Sequence, residues 1–184
     1  KVGKEAWVIA QSRVQPFLDE LKNPEHEILA TFTGSELEHA VCTHPFYKRD
    51  SLVILGKHVT TDVGTGCVHT APGHGQEDYE VGLRYGLKPF APVDEKGCFT
   101  DEVEVKKWIG LPVERANVVI IEKLKETKAL IQETKVTHSY PHCWRCKNPI
   151  FFRATEQWFV SMAHENFREK ALKAIDMVHW VPKW

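Results

Sequence analysis

The stretch Asp62-Val63-Gly64-Thr65-Gly66-Cys67-Val68-His69-Thr70-Ala71-Pro72-Gly73-His74-Gly75-Gln76-Glu77-Asp78-Tyr79 concentrates most of the chemistry of this chain. It reads as a short β-rich run, Cys67 to Thr70, followed by a glycine-rich loop and then a helix whose first turn is acidic. Glycines let backbone approach a ligand closely, and a strand ending at a helix N-terminus presents free N–H groups to partial negative charge. A pocket is the expectation. His69 and Asp78 stand at opposite ends of the loop, so a strand-loop-helix turn brings both toward one cavity. There Asp78 could hold an ammonium group and His69 could shape the site. A plainer reading stands beside this one, in which His69 is an ordinary hydrogen-bonded histidine and Glu77 with Asp78 complements the helix dipole.

Working outward, Glu5 to Gln11 reads as a strand. Ser12-Arg13-Val14-Gln15 has the form of a capping box opening a helix to about Lys22, which Asn23-Pro24 stops. Short β-rich runs at 26–33, 52–55 and 67–70 are separated by Gly34, Gly56, Gly64 and Gly66 and suggest a curled sheet. Helices are expected at 76–85, closed by Gly86, and at 113–128, where apolar residues recur at helical spacing. Asp94-Glu95-Lys96-Gly97 suits a hairpin between 90–93 and 98–100, and 130–139 reads as a strand. The tail carries a helix with Phe167, Ala171, Leu172 and Ile175 on one face. Four of the six tryptophans, Trp144, Trp158, Trp180 and Trp184, follow Tyr140, which suggests a segment that packs against something outside it. The expected fold class is α+β: a curled, barrel-like β core with peripheral helices over 1–140, and a cysteine-knuckle and helical tail over 141–184.

Composition limits the function classes. The chain has 184 residues, 42% hydrophobic and 27% charged, close to globular averages. Its formal net charge of −1 excludes non-specific polyanion binding through bulk charge, so any nucleic-acid contact is local. No apolar run approaches the roughly 18 residues of a membrane helix, and Lys1-Val2-Gly3-Lys4-Glu5 lacks a hydrophobic signal core. Five cysteines, an odd number, fit a reducing, cytoplasmic compartment. The absence of an initiating Met, with a strand-like run directly at the start, suggests a segment of a longer polypeptide.

Motif arithmetic removes several mechanisms. The loop matches neither GxxxxGK[ST] nor GxGxxG, and HExxH, GxSxG and the HxE of zinc deaminases are absent from the sequence. Cys67 lacks the His and Asn ordering of a thiol nucleophile and reads as a small strand residue. Cys143-x-x-Cys146 supplies two of the four ligands of a tetrahedral zinc, so it is half a site. Either a partner pair lies outside this chain, or the two thiols form an unmetallated knuckle.

The runs GTGCVHTAPGHGQEDYEVGLRYGL (Gly64 to Leu87) and HSYPHCWRCKNPIFFRATEQWFVSM (His138 to Met162) closely resemble the editing, or connective-peptide, domain of isoleucyl-tRNA synthetases, in the class I aminoacyl-tRNA synthetase family. The valyl family is similar, but there Lys is expected in place of His69 and a PAHD-type run in place of Pro72-Gly73-His74-Gly75. The resemblance implies post-transfer proofreading: hydrolysis of valine from the 3′ acceptor end of the isoleucine tRNA. One methylene is worth only about 1–3 kcal/mol in an apolar pocket, a magnitude known from this very pair of amino acids in this enzyme family, so a second, smaller sieve is needed.

The same resemblance implies that His69 is the wall that excludes isoleucine and that Asp78 pairs with the substrate α-ammonium. Thr70, Gly73 and His74 would line the site around them. It implies no cofactor for editing, with an oriented water attacking the ester. It further implies a structural zinc shared by Cys143 and Cys146 with a cysteine pair outside this chain, and a threonine-rich segment of WTTTPW type upstream of these residues. ATP and magnesium would serve only the synthetic body of the parent synthetase, since neither an HIGH-like nor a KMSKS-like sequence occurs here. The alternative is a non-catalytic module whose knuckle and aromatic tail dock tRNA or another domain, with Arg145, Lys147 and Arg153 as basic contacts.

Overall fold

The structure, a computed structural model, describes residues 1–22 and 24–182. Two compact units are present, Lys1–Ala154 and Thr155–Trp184. The first begins with a single 3₁₀ turn, Gln11–Arg13, running into helix α1 (Val14–Glu20). An antiparallel pair follows, β1 (Val41–Thr43) and β2 (Asp50–Leu52), in the register Val41 to Leu52 and Thr43 to Asp50. Helices α2 (Gln76–Arg84) and α3 (Val113–Glu126) complete the first unit, and α4 (Phe167–Met177) lies in the second. The fold is therefore α+β, with four helices and a two-stranded open sheet among the described residues.

Helices end where local chemistry dictates. Gly75 caps α2 in an extended conformation, and Gly86 follows it at φ +67°, where the Leu87 N–H returns 2.9 Å to the Gly82 carbonyl. This is the 6→1 bond of a Schellman stop, which favours glycine at the left-handed position. The α3 helix stops at Glu126, two residues before the expected end, where the Thr127 hydroxyl bonds back to the Lys123 carbonyl at 3.1 Å and Lys128 turns left-handed at φ +56°. The capping box expected at Ser12 to Gln15 is not formed. The Gln15 amide instead donates to Asp19 at 2.7 Å, one helical turn on, while Thr33 and Glu36 make a reciprocal capping box on the 3₁₀ turn Gly34–Leu37. The expected stop at Asn23 lies outside the described residues.

The expected barrel-like closure is not formed among the described residues, where the sheet is two-stranded and open. Runs 6–10, 27–33, 67–70 and 130–139 are irregular and carry no ladder. Ile28 (68% exposed) and Val68 (58%) show the cause, since β-branched residues stabilise a strand only when a neighbouring strand covers them. The hairpin at 94–97 does close: the Asp94 N–H donates to the Cys98 carbonyl at 2.8 Å, Val93 bridges Phe99, and Gly97 turns at φ +75°. Backbone N–H groups of Cys98 and Lys96 donate to the Asp94 carboxylate and hold its pKa below the usual value.

The knuckle lies within the first compact unit, which ends at Ala154. The Ala154 N–H donates to the Gly73 carbonyl at 2.8 Å, and the Arg153 guanidinium to the Val93 carbonyl at 2.8 Å. These bonds sew the return of the knuckle onto the glycine loop. In the second unit no residue of α4 is buried, and Trp158 and Phe159 are fully or almost fully exposed. Trp184 lies outside the described residues.

The core of the first unit is small and includes Phe17, Leu18, Val81, Val93, Val103, Trp108 and Ala116. Leu18→Ala, at a position 1% exposed, is expected to cost about 2–5 kcal/mol in urea unfolding. Leu172→Ala, on the exposed face of α4, is expected to change stability by less than about 0.5 kcal/mol.

Candidate active site

Arg13, just ahead of α1, fixes the start of the glycine-rich stretch. Its guanidinium donates to the carbonyls of Gly64 (3.0 Å) and Asp62 (3.1 Å) and pairs with Glu20 at 3.4 Å. Gly66 adopts φ +79° with its Cα side against Ala10; an added Cβ would come within 2.5 Å of the Ala10 methyl. The Ala10 N–H also donates to the Thr65 carbonyl at 2.8 Å. The chain then runs through His69 and turns at Pro72 and Gly73. Gly73 is buried, and a Cβ there would lie 2.2 Å from the Phe90 carbonyl oxygen, so only glycine permits this close approach.

The two ends of the loop meet at Asp78. Its Oδ2 accepts the Ala71 N–H at 3.2 Å, and its Oδ1 lies 3.6 Å from His58 Nε2. The Asp78 side chain is 25% exposed and that of His58 is 18% exposed. The His58 Nε2 atom is itself buried and has no hydrogen-bond partner among the described residues. Gly56 makes room for this ring, since a Cβ there would meet His58 Cε1 at 2.7 Å.

A hollow of about 1180 Å³ opens beside the loop, its lining including His69, Thr70, Ala71 and His74. Of the residues expected in the site, His69, Thr70 and His74 thus share one cavity wall. Gly73 shapes that wall from within, without lining it. Asp78 does not line the hollow either; it reaches the wall through its bond to Ala71. His74 also binds the Phe152 carbonyl through Nδ1 at 2.9 Å, which joins the wall to the knuckle's return. His58 and Arg13 escaped the sequence reading, because no local spacing links position 58 to 78 or position 13 to 64.

His44 stands near this wall, in the turn after β1. Its Nδ1 accepts the Tyr47 N–H at 2.9 Å, and its ring stacks on Tyr47 at 4.7 Å. Burial, and after it the nearby Arg49 guanidinium, holds its pKa below the ordinary 6.5.

The cysteine pair sits in a tight turn. The Cys143 N–H donates to the Asn148 carbonyl at 2.8 Å, and the Lys147 N–H to the Cys143 carbonyl at 2.9 Å. Backbone N–H groups of Cys146 and Arg145 aim at the Cys143 sulfur and lower its pKa, a donor set that suits a thiolate ligand. Among the described residues no group of three or more His, Cys, Asp or Glu gathers to hold a metal, and no helix is long and apolar enough to cross a membrane.

The family model described as "Leucyl-tRNA synthetase, editing domain" matches residues 6–134. The chain belongs to the leucyl-tRNA synthetase editing-domain family. Over its whole length this editing domain is 56% identical to the isoleucine–tRNA ligase of Caldanaerobacter subterraneus subsp. tengcongensis and 55% identical to that of Thermoanaerobacter sp. (strain X514). Identity is 50% with the isoleucine–tRNA ligase of Petrotoga mobilis. It covers 19% of the first two proteins and 20% of the third, and so spans about a fifth of the length of the curated relatives it matches.

Two outcomes follow from this geometry. Gly73→Ala in the editing domain is expected to push the loop off Phe90 and to lower the thermal unfolding midpoint, whereas Gly64→Ala, with nothing within 4 Å of the added methyl, costs only the strain of its φ of +64°. Because the unfolded chain takes up the His44 proton more readily than the folded one, His44 makes its full contribution above about pH 6.5. That contribution fades as pH falls through the depressed folded value. Urea midpoints at pH 7.5 and 5 should therefore differ less in His44→Gln than in the parent chain.

Proposed function

We propose that this editing domain hydrolyses the ester between valine and the 3′ acceptor end of the isoleucine tRNA, as the post-transfer proofreading part of an isoleucine–tRNA ligase acting in the cytoplasm. The observation that carries the reading is a hollow walled by His69 with a carboxylate, Asp78, held directly behind the same wall. His69 sets the size limit: valine fits against the imidazole and isoleucine, one methylene larger, clashes. Thr70 and His74 form the adjoining wall, and Gly73 lets that wall lie against the Phe90 backbone.

Asp78 has two tasks in this mechanism. Its Oδ2 holds the Ala71 N–H and so fixes the position of His69 two residues earlier. Its Oδ1, 3.6 Å from His58 Nε2, has no backbone donor and would take the α-ammonium of the substrate once the 71–74 turn shifts to open this carboxylate, which does not itself line the hollow, to the bound ester. His58 is a positioning residue that limits rotation of this carboxylate. With the ammonium gripped, the ester carbonyl is oriented for attack by a water, and the ribose hydroxyl of the tRNA leaves with a proton. The protein forms no covalent intermediate, and no cofactor takes part. The runs 27–33 and 67–70 would pair as strands, and the barrel-like sheet would close, against other segments of the parent ligase.

Cys143 and Cys146 would hold a structural zinc together with a cysteine pair outside this chain. Bound zinc would cross-link the knuckle to that partner segment. ATP and magnesium would be used only by the synthetic part of the ligase.

The test uses the full-length ligase and isoleucine tRNA charged with valine or with isoleucine. His69→Ala is expected to release isoleucine from its cognate tRNA at a rate near that of valine. Asp78→Asn should slow valine release at least tenfold, while His58→Gln retains more activity than His58→Ala. Unchanged hydrolysis and unchanged discrimination in both His69→Ala and Asp78→Asn would remove the assignment. Zinc uptake without any deacylation by the parent enzyme would favour the non-catalytic docking module instead.

A further inference from the structure

Arg49 lies in the turn that joins β1 to β2, and its surroundings differ from those of an ordinary surface arginine. Its guanidinium carbon is 5.2 Å from the Tyr47 ring centroid and 5.4 Å from that of Phe90, so the planar cation rests on two aromatic faces. The platform is braced from below. Tyr47 stacks on His44 and meets Phe46 edge-on at 4.8 Å, and Phe46 in turn meets the buried Trp108 at 5.6 Å. Among the described residues, no carboxylate comes within ion-pair distance of Arg49. A guanidinium stacked by its faces and unpaired at its edge presents its N–H fork outward, the geometry that meets a phosphate or carboxylate with two parallel bonds.

Charge around the hollow points the same way. Arg49, Lys57, Arg84 and Lys88 line it, against one carboxylate, Asp50. In a chain whose formal net charge is −1, four cations on one cavity are a local concentration, and a cavity lined by one sign focuses the field on an incoming ion. An aromatic face beside a cation is also how single-stranded nucleic acid is held without reading its sequence.

We propose that these four side chains form a phosphodiester-binding rim on the hollow. Arg49, braced by Tyr47 and Phe90, makes the two-pronged contact to the backbone of the last nucleotides of a single-stranded RNA end. Naming RNA rests on the editing function proposed above, whereas the rim as an anion site rests only on the geometry of Arg49 and its neighbours.

The experiment compares the full-length parent protein with Arg49→Ala and Arg49→Lys, each first checked for an unchanged thermal unfolding midpoint. Two quantities are measured: hydrolysis of valine from the isoleucine tRNA, and salt-dependent binding of a short single-stranded oligoribonucleotide of acceptor-end sequence. For Arg49→Ala, KM is expected to rise about tenfold with kcat within about twofold, because the contact is the same in ground state and transition state. The slope of log Kd against log salt should fall by about 0.7, and Arg49→Lys should restore the slope but only part of the affinity. An unchanged KM and salt slope in Arg49→Ala, or a fall in kcat alone, overturns the proposal. So does displacement of the oligoribonucleotide by inorganic phosphate or adenosine monophosphate at equal phosphate concentration, which would make the site one for small free anions. If the parent protein hydrolyses no mischarged tRNA while Arg49→Ala still weakens oligoribonucleotide binding, the proofreading function fails and the rim stands.

Discussion

The bond from the Ala71 N–H to the Asp78 carboxylate closes a seven-residue excursion of backbone, and the geometry of the site depends on it. A loop with glycine at 73 and 75 loses much conformational freedom on ordering. One charged acceptor at the start of α2 offsets part of that loss, since hydrogen bonds to ionised groups are about twice as strong as neutral ones. With this bond in place, Pro72 packs against Gly82 in the middle of α2, and Gly73 meets the Phe90 backbone. Sequence, turn and wall are thus coupled: the carboxylate that accepts the Ala71 N–H also sets the course of the chain just after His69.

Helices were the legible part of this chain. Glu77 and Asp78 ahead of an apolar repeat, with Gly86 behind it, marked α2 to within a residue, because capping and periodicity are local. The apolar face of α4 was read correctly for the same reason. Apart from the hairpin at 94–97, whose turn residues are local, strands are not legible, since a β-rich run such as 27–33 states only that it suits a pleated surface. Whether a neighbour covers it is decided by distant residues, and here no described strand forms a ladder with it. Ser12 to Gln15 has the pattern of a capping box, but Gln15 has a better partner, Asp19, one turn on, and the motif forms instead at Thr33.

The site shows the same division. His69, Thr70 and His74 were found from one dense stretch of sequence, and they share one wall. Arg13, His58 and Arg49 were not found, and each acts across a long separation in the chain. Arg13 reaches position 64, His58 faces position 78, and Arg49 rests on a ring at position 90. The knuckle was placed with the tail on sequence because composition changes near Tyr140. The bonds from Ala154 to Gly73 and from Arg153 to Val93, which tie its return to the first unit, are visible only in three dimensions.

The clasp made by Arg13 on the carbonyls of Asp62 and Gly64 bears on transplantation. A designer who grafted only the glycine-rich loop onto a foreign scaffold would leave two carbonyls without donors and a left-handed glycine without its Ala10 neighbour. The smallest portable unit therefore includes the N-terminal segment through α1 as well as the loop itself.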